Sequence, residues 1–297
     1  ILVDVVASGI NFPDVLAIAG KYQVKTPTPF VPGNEGAGTI AAVGEGVTRF
    51  AIGDKVIFNS TGGAFAEKCI ADQNTTMPLP DGLNFEQAAG FSVTYGTSYH
   101  ALKQSADLQP GETVLVLGAA GGVGITAVEI AKAMGSRVIA AASSDEKLEF
   151  AKQAGADEVI NYSTQPLKET VKELTGGKGA DVVYDPVGGD PFVAALKCCQ
   201  PEARYLVIGF ASGDVPQIKA NHLLVKNVNV LGFYWGAYMG FAPQVLQNSL
   251  KDVFAMISKR QLNPYIGGSY DFDQALEALA DLKARKSIGK LVVWGPV

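Results

Sequence analysis

The 297-residue chain is poor in the residues that build disulfide frameworks and metal sites. It contains two histidines and three cysteines, Cys69, Cys198 and Cys199, and no CxxC pair. Adjacent cysteines do not readily bridge each other, so the sequence excludes a disulfide framework and a zinc knuckle. A reducing compartment is the expectation, and we predict a cytoplasmic protein.

Long apolar runs and a surplus of basic charge are missing as well. No run reaches the roughly 20 apolar residues that span a bilayer, so we predict no membrane partner. The formal net charge is −5 and the 24 Lys and Arg are scattered, which disfavours a nucleic-acid partner. The opening run ILVDVVASGINF is strand-like and has no signal-peptide layout, and we interpret it as a start inside a sheet, with an N-terminal segment missing.

Two sequence patterns divide the chain near residue 80. Before it, short β-type runs are separated by Gly and Pro, which predicts a compact, mostly antiparallel β domain. After it, apolar strands such as TVLVLG (113–118) and RVIAAAS (137–143) alternate with helices. This alternation predicts an α/β doubly wound parallel sheet. Helices near 242–259 and 271–285 and a strand at 290–294 are expected to fold back onto the β domain.

A glycine-rich turn, AAGGVG, follows the strand TVLVLG and leads into a helix. Ala119 occupies the first position of the G-x-G-x-x-G pattern, while Gly121 and Gly124 occupy the second and third. Such a turn lets a pyrophosphate approach the backbone at a helix N-terminus and lets helix and strand pack closely. It predicts dinucleotide binding, and a purely structural turn is the alternative.

The next strand ends in VIAAASSDEK, which bears on the choice of dinucleotide. An NAD site usually carries Asp or Glu about 20 residues beyond the glycines, and such a carboxylate would repel a 2′-phosphate. Here Ser143 and Ser144 stand at the strand end, with Lys147 one helical turn onward. We predict NADPH. In the alternative interpretation Ser144 or Asp145 is only a helix N-cap and Lys147 is solvated.

Seven stretches, in order across nearly the whole chain, resemble one known family: SGINFPDVLAIAGKY, PFVPGNEGAG, GVTRFAIGDKV, FEQAAG, AAGGVG, VINY and DVVYDPVGG. They resemble the medium-chain dehydrogenase/reductases, in particular the zinc-independent, zeta-crystallin-like quinone oxidoreductases. The resemblance implies a GroES-like β domain at 1–95 and 236–297. It also implies a Rossmann NADPH-binding domain at 96–235, and about 25–30 absent N-terminal residues.

The resemblance also bears on a metal. Zinc-dependent relatives hold a catalytic zinc with a Cys, a His and a second Cys, and the resemblance implies that Asn11, Asn34 and Ala89 stand at these positions here. An amide is a poor zinc ligand beside thiolate or imidazole, so we predict no metal. Glu35, next to Asn34, is then expected to be structural, held by backbone or by a nearby cation.

Cofactor contacts follow from the resemblance residue by residue. Residues 121–124 would hold the pyrophosphate, Ser143, Lys147 and Tyr162 would frame the 2′-phosphate, and the loop after VIGF would reach the carboxamide. For Tyr162 and Tyr234 an ordinary core or interface role is the alternative. The predicted contacts are Asn11, Thr97, Gly121, Gly122, Val123, Gly124, Ser143, Lys147, Tyr162, Gly209, Phe210, Tyr234 and Lys290.

Without a metal, nothing acts as a Lewis acid on an alcohol or carbonyl. The substrate must then be electrophilic enough to accept hydride unaided, as quinones and α,β-unsaturated carbonyls are. Asn11 and Tyr22 are the predicted catalytic residues, as donors to developing negative charge. Asp14 is expected to cap the NFPD turn rather than act as a base, and His100 and His222 are expected to be structural.

The sequence leaves three possible functions and predicts one oligomeric state. The first function is an NADPH-dependent quinone reductase. The second is an enoyl or acyl-thioester reductase, with the aromatic run GFYWGAYMGF lining a carrier-chain pocket. The third is a non-catalytic NADPH-binding structural or RNA-associated protein. The resemblance also implies a homodimer paired through the edge strand NVNVLGFY.

Overall fold

The computed structural model describes residues 1–296. It divides into two compact units. The first unit comprises Ile1–Gly96 together with the chain from Trp235 onward, and the second unit is Thr97–Tyr234. The catalytic and cofactor-binding roles expected for two domains stay predictions.

The N-terminal segment of the first unit is mostly β structure. Its helix α1 begins at the NFPD turn: Pro13 lies in the first turn, the Asp14 carboxylate accepts the Asn11 N–H, and Gly20 turns the chain at φ +66°. The elements are β1 (Leu2–Ile10), α1 (Phe12–Ile18), β2 (Glu35–Ala42), β3 (Lys55–Asn59), β4 (Lys68–Ile70), β5 (Thr76–Pro78), α2 (Phe85–Ala89) and α3 (Ser92–Tyr99).

The second unit confirms the predicted doubly wound sheet. Six parallel strands lie in the order β8-β7-β6-β9-β10-β11, which is the 3-2-1-4-5-6 order of dinucleotide-binding folds. Its elements are β6 (Thr113–Leu117), α4 (Gly122–Ala133), β7 (Arg137–Ala142), α5 (Asp145–Gln153), β8 (Glu158–Asn161), α6 (Leu167–Leu174), β9 (Ala180–Asp185), α7 (Gly189–Lys197), β10 (Cys199–Val207), α8 (Ala220–Leu224) and β11 (Asn229–Gly232).

The C-terminal segment returns to the first sheet, as predicted. It contains α9 (Tyr238–Phe241), α10 (Pro243–Ser258), β12 (Ile266–Tyr270), α11 (Ala275–Lys283) and β13 (Lys290–Trp294). Strand β13 pairs antiparallel with β1, with Leu291 opposite Ile10. The seven-stranded sheet runs β12-β13-β1-β2-β3-β5, with β4 also paired to β1.

Element boundaries differ from the sequence expectations where local geometry intervenes. The segment from Phe85 to Ser105 forms two α-helices, with Gly90 at the end of α2, and then winds as a π-helix over His100–Ser105. The last strand of the parallel sheet is shorter than NVNVLGFY and ends at Gly232. The strand before it, β10, begins at Cys199 and ends at Val207.

Each unit has its own apolar core. In the second unit, Leu115, Ile139 and Phe192 pack with neighbouring strand and helix residues and are almost fully buried. In the first unit, one cluster forms around Val3 and Phe58 and another around Ile10 and Leu291. None of the helices described in residues 1–296 has the length and apolar character needed to cross a bilayer.

Candidate active and dinucleotide-binding sites

Three strand ends of the first unit bring one amide and two opposite charges together. Asn11 follows β1, Glu35 begins β2 and Lys290 begins β13. Lys290 Nζ donates to Glu35 Oε1 at 2.6 Å and to Asn11 Oδ1 at 2.5 Å, and Asn11 Nδ2 donates to Glu35 Oε1 at 2.8 Å. All three side chains are buried, so this triad is a desolvated ion pair bridged by an amide.

The bonding of Asn11 restricts what its amide can do. Nδ2 donates one N–H to Glu35 Oε1 and the other to the Gly9 carbonyl at 3.3 Å. Because an amide nitrogen has two protons, both are used within the protein. The remaining capacity is an acceptor lone pair on Oδ1, beside the one that Lys290 occupies. This favours the predicted ribose contact over donation to a substrate anion.

The second carboxylate oxygen of Glu35 is held by donors from α3. Glu35 Oε2 accepts the Val93 N–H at 2.8 Å, and the Ser92 hydroxyl lies 2.8 Å from it. The same hydroxyl lies 2.8 Å from Asn59 Oδ1. Glu35 is therefore fully partnered, and the expectation that backbone or a cation holds it is met by both Val93 and Lys290.

Asp14 is a second buried carboxylate next to this triad. Its Oδ2 accepts the Asn11 N–H at 2.8 Å and its Oδ1 accepts the Gly33 N–H at 3.3 Å. Burial raises the pKa of Asp14 to about 7, although the two backbone donors and the Lys290 charge lower it. The expected capping role is confirmed by the Asn11 bond, and both oxygens are occupied by backbone donors.

The donor chemistry of this region does not fit zinc. The residues at the predicted ligand positions are the amides Asn11 and Asn34 and the buried Ala89, and the triad adds the ammonium of Lys290, which repels a cation. Within residues 1–296, no group of three or more His, Cys, Asp and Glu side chains is placed to hold a metal ion.

Tyr22 is the second predicted catalytic residue. It is half-buried in the segment after α1, and its backbone N–H donates to the Leu16 carbonyl at 3.1 Å. Its catalytic role stays a prediction.

The glycine-rich turn of the second unit has the geometry that a pyrophosphate needs. The chain turns at Gly118, where φ is +55°, and Gly121 caps α4 without a side chain. A Cβ on Gly124 would lie 2.1 Å from the Gly118 carbonyl oxygen, so only glycine allows this close helix–strand approach. The N–H groups of residues 122–124 precede the helix's own bonding ladder, which begins at Ile125, and are suited to phosphate oxygens.

The predicted 2′-phosphate residues lie at the carboxyl ends of β7 and β8, which pair in register with Ala142 opposite Asn161. Ser143 is exposed, and Lys147 and Tyr162 are half-buried. Ser144 caps α5 through a 3.5 Å contact with the Lys147 N–H, so the capping alternative holds for this residue. Tyr162 also packs against the core, so its ordinary aromatic role is present too.

The loop of Gly209 and Phe210 is tied to the preceding strand end by Asp185. The Asp185 carbonyl accepts the N–H groups of Ile208 and Gly209 at 2.9 and 3.3 Å. Its buried carboxylate accepts the Tyr205 hydroxyl at 2.7 Å and the N–H groups of the turn after β9. Burial raises the pKa of Asp185. One residue thus positions both loops.

The remaining predicted contacts differ in exposure. Thr97 is buried, and the neighbouring Ser98 hydroxyl donates to the Val123 carbonyl at 2.9 Å, which ties α3 to the first turn of α4. The Tyr184 hydroxyl lies 2.9 Å from the same Ser98 oxygen. Tyr234 is 47% exposed and follows β11.

Sequence reasoning missed several of these residues. Asp185 and Asn161 stand inside the motifs DVVYDPVGG and VINY, so their presence was visible but their bonds were not. Ser92 and Asn59 carried no signal, because partners 33 residues apart in the chain meet only through the tertiary fold. Lys290 was expected to contact the cofactor, and its bond to Glu35 was not anticipated.

The two units, a β unit and a doubly wound dinucleotide fold, define a two-part dehydrogenase or reductase. Residues 1–81 match the model of the alcohol dehydrogenase GroES-like domain, and residues 122–259 match that of the zinc-binding dehydrogenases. The chain is 44% identical over 288 residues to quinone oxidoreductase-like protein 2 homolog of Nematostella vectensis, covering 96% of this chain and 79% of that protein.

Solved structures agree with the sequence relatives. Escherichia coli quinone oxidoreductase complexed with NADPH superimposes with a TM-score of 0.93 at 31% identity, covering 99% of this chain and 90% of that one. The CurK enoyl reductase gives a TM-score of 0.91 at 27% identity, covering 100% and 91%. This chain belongs to the medium-chain dehydrogenase/reductases, in their quinone oxidoreductase family.

Proposed function

We propose that this protein transfers hydride from NADPH to a quinone or a related activated enone, without zinc. The observation that carries the proposal is the Lys290 ammonium bound to Asn11 and Glu35. It places a cation and amides, rather than thiolates and imidazole, in the region where zinc-dependent relatives hold their metal. NADPH bound to a relative of the same fold supports the cofactor assignment.

Bound NADPH supplies the hydride. The N–H groups at the start of α4 would bind the pyrophosphate, and Ser143, Lys147 and Tyr162 would receive the 2′-phosphate. Thr97, the Gly209–Phe210 loop, Tyr234 and Lys290 complete the proposed contacts. The Asn11 amide oxygen would accept a ribose hydroxyl, because its two N–H groups are already committed.

The acceptor is reduced by one hydride and one proton, which converts a quinone to a hydroquinone or an enone to its saturated carbonyl. With no Lewis acid, the protein contributes orientation, exclusion of water and hydrogen bonds to the negative charge that develops. Tyr22 is the proposed donor of that hydrogen bond. Without a metal, the acceptors are limited to compounds that are electrophilic enough to accept hydride without activation, and a plain ketone is not one of them.

The test is NADPH oxidation measured against a quinone, an enone, an enoyl thioester and a plain ketone, together with metal analysis of the purified chain. We expect turnover with the quinone and the enone, no turnover with the plain ketone, and activity that survives a chelator. Stoichiometric zinc, or binding of NADH as tight as that of NADPH, would overturn the assignment.

An enoyl or acyl-thioester reductase is the second candidate. The similarity to the CurK enoyl reductase supports it, as does the aromatic pair Tyr238 and Phe241, whose rings lie 4.5 Å apart. Phe241 is 67% exposed and could contact an apolar acyl chain. Faster turnover with the enoyl thioester than with the quinone would favour this candidate. NADPH binding without any turnover would favour the non-catalytic alternative.

The homodimer is proposed on the basis of the sheet edge. Strand β11 is the terminal strand of the six-stranded sheet as described, and Leu224 and Val225, just before it, are more than 70% exposed. An edge strand next to exposed apolar side chains is suited to pairing across a two-fold axis. Light scattering should give twice the mass of one chain, and a monomer would contradict the proposal.

A further inference from the structure

Asn161, the last residue of β8, holds a carboxylate on the neighbouring helix. Its Nδ2 donates to Asp145 Oδ1 at 2.8 Å, and its Oδ1 accepts the Ser163 N–H at 3.1 Å. The Ser163 bond fixes the orientation of the amide, since only the oxygen can accept a backbone N–H. The nitrogen must therefore face Asp145. Asn161 is buried and Asp145 is exposed, so the bond between them is partly buried.

Asp145 lies where the charge of its carboxylate bears on the choice between NADPH and NADH. It is the first residue of α5, directly after the Ser144 cap and two residues before Lys147. A free carboxylate at this strand end would repel a 2′-phosphate and could accept the 2′-hydroxyl of NADH. In this chain the carboxylate is instead bonded to an amide of the adjacent strand.

We propose that Asn161 is a positioning residue for cofactor specificity. By holding the Asp145 carboxylate toward β8, it leaves Ser143, Lys147 and Tyr162 to present hydroxyl groups and a positive charge to the adenosine 2′-phosphate. The inference rests on the proposed use of NADPH and extends it, because it assigns the preference to a residue with no cofactor contact of its own. The register of β7 and β8, with Ala142 opposite Asn161, brings the two strand ends side by side.

A purely structural role for Asn161 makes a different prediction. If the Asn161–Asp145 bond only stiffened α5 against β8, its loss would weaken the binding of NADPH and NADH equally. A specificity role changes the ratio of the two dissociation constants, because only NADPH carries the 2′-phosphate that meets the released carboxylate. The ratio therefore separates the two roles.

The experiment measures the dissociation constants of NADPH and NADH by titration calorimetry on the full chain. In Asn161→Leu, which has a similar volume and no amide, the NADPH preference should fall about tenfold, the size of one charge-assisted hydrogen bond. Adding Asp145→Asn to Asn161→Leu should restore the preference, because the released carboxylate is then neutral. Adenosine 2′,5′-bisphosphate against ADP should show the same change without the nicotinamide half.

Gln165→Ala is the matched control. The Gln165 side-chain oxygen accepts the Asn161 backbone N–H at 2.9 Å, whereas the bond to Asp145 is made by the Asn161 side chain, so this variant should keep the wild-type ratio. Asp145→Asn alone should change the ratio by less than about threefold, since an exposed charge already held aside is screened. It also serves as the test if Asn161→Leu does not fold, and a larger rise in NADPH preference would overturn the inference.

The inference and the proposed cofactor fail in distinguishable ways. A wild-type chain that prefers NADH overturns the NADPH assignment and the inference with it. A wild-type preference for NADPH that is unchanged in Asn161→Leu overturns the inference alone. Equal loss of affinity for both cofactors in Asn161→Leu also overturns it and indicates a structural role.

Discussion

The Lys290 ammonium and the Glu35 carboxylate form an ion pair of 2.6 Å in which the carboxylate side chain has no exposed surface. Strands β13 and β2, which carry the two residues, flank β1 in the sheet. The ion pair therefore joins the C-terminal strand to the N-terminal segment. Its loss leaves a buried charge without its partner.

Lys290→Met should lower the free energy of unfolding of the first unit by about 3–5 kcal/mol, because Glu35 is left buried without a counter-charge. The measurement is chemical denaturation followed by circular dichroism. Lys68→Met is the control: its ion pair with Asp4 is about half exposed, so its loss should cost less than about 1 kcal/mol. Equal effects of the two variants would show that Lys290–Glu35 is no stronger than a surface pair.

The buried Asp14 should make stability depend on pH in a stated direction. Its pKa is raised from 3.8 to about 7 in the folded chain. At pH values between these two, the folded chain therefore holds a proton on Asp14 that the unfolded chain has released. Stability should then fall as pH rises from about 4 to 7, by up to about 1.4 kcal/mol per pH unit.

Asp14→Asn should remove this pH dependence while lowering stability at every pH, since the amide cannot accept both backbone N–H groups. The measurement is the thermal unfolding midpoint of the variant and of the wild type at pH values from about 5 to about 8, which gives the slope of stability against pH for each. Identical slopes in the variant and the wild type would contradict the raised pKa.

Gly124 and Gly121 should respond differently to alanine. A Cβ on Gly124 would lie 2.1 Å from the Gly118 oxygen, whereas one on Gly121 would lie 3.4 Å from the same atom. Gly124→Ala should therefore destabilise the second unit by about 1–3 kcal/mol. Gly121→Ala should keep the stability and weaken NADPH binding, because the new methyl group obstructs the approach of a pyrophosphate. Calorimetry and thermal unfolding check both, and a stable Gly124→Ala would contradict the steric argument.

Tyr22→Phe should reduce turnover with a quinone by about tenfold or more while changing the NADPH dissociation constant little, if its hydroxyl donates to developing negative charge. Tyr270→Phe is the control, because the Tyr270 hydroxyl bonds to Asp281 Oδ2 at 3.0 Å and is not part of the proposed site. Steady-state kinetics and cofactor titration separate the two effects. Unchanged turnover in Tyr22→Phe would remove Tyr22 from the mechanism.

Much of the architecture was predictable because local patterns report local structure. Apolar strands alternating with helices after residue 80 predicted the parallel sheet, and AAGGVG predicted the turn before α4. Helix and strand ends were less predictable. The π-helical winding at His100–Ser105 and the early end of β11 depend on packing, which overrides local preference.

The candidate site likewise has residues that the sequence could predict and bonds that it could not. Ser143, Lys147 and the glycines lie within a few residues of strand ends, so the doubly wound pattern alone was enough to suggest a role for them. The bond from Asn161 to Asp145 spans 16 residues, and that from Lys290 to Glu35 spans 255. No periodicity connects such partners, because each pair meets through strand order and register.

By itself, the sequence determined the fold class, the glycine turn and the family, since all three are carried by contiguous motifs. The resemblance also implied that Asn11 and Asn34 stand where zinc-dependent relatives have ligands. Only the tertiary structure decided what surrounds them. When β13 pairs beside β1, Lys290 is brought to Glu35 and Asn11, and burial of these charges forces them to satisfy one another.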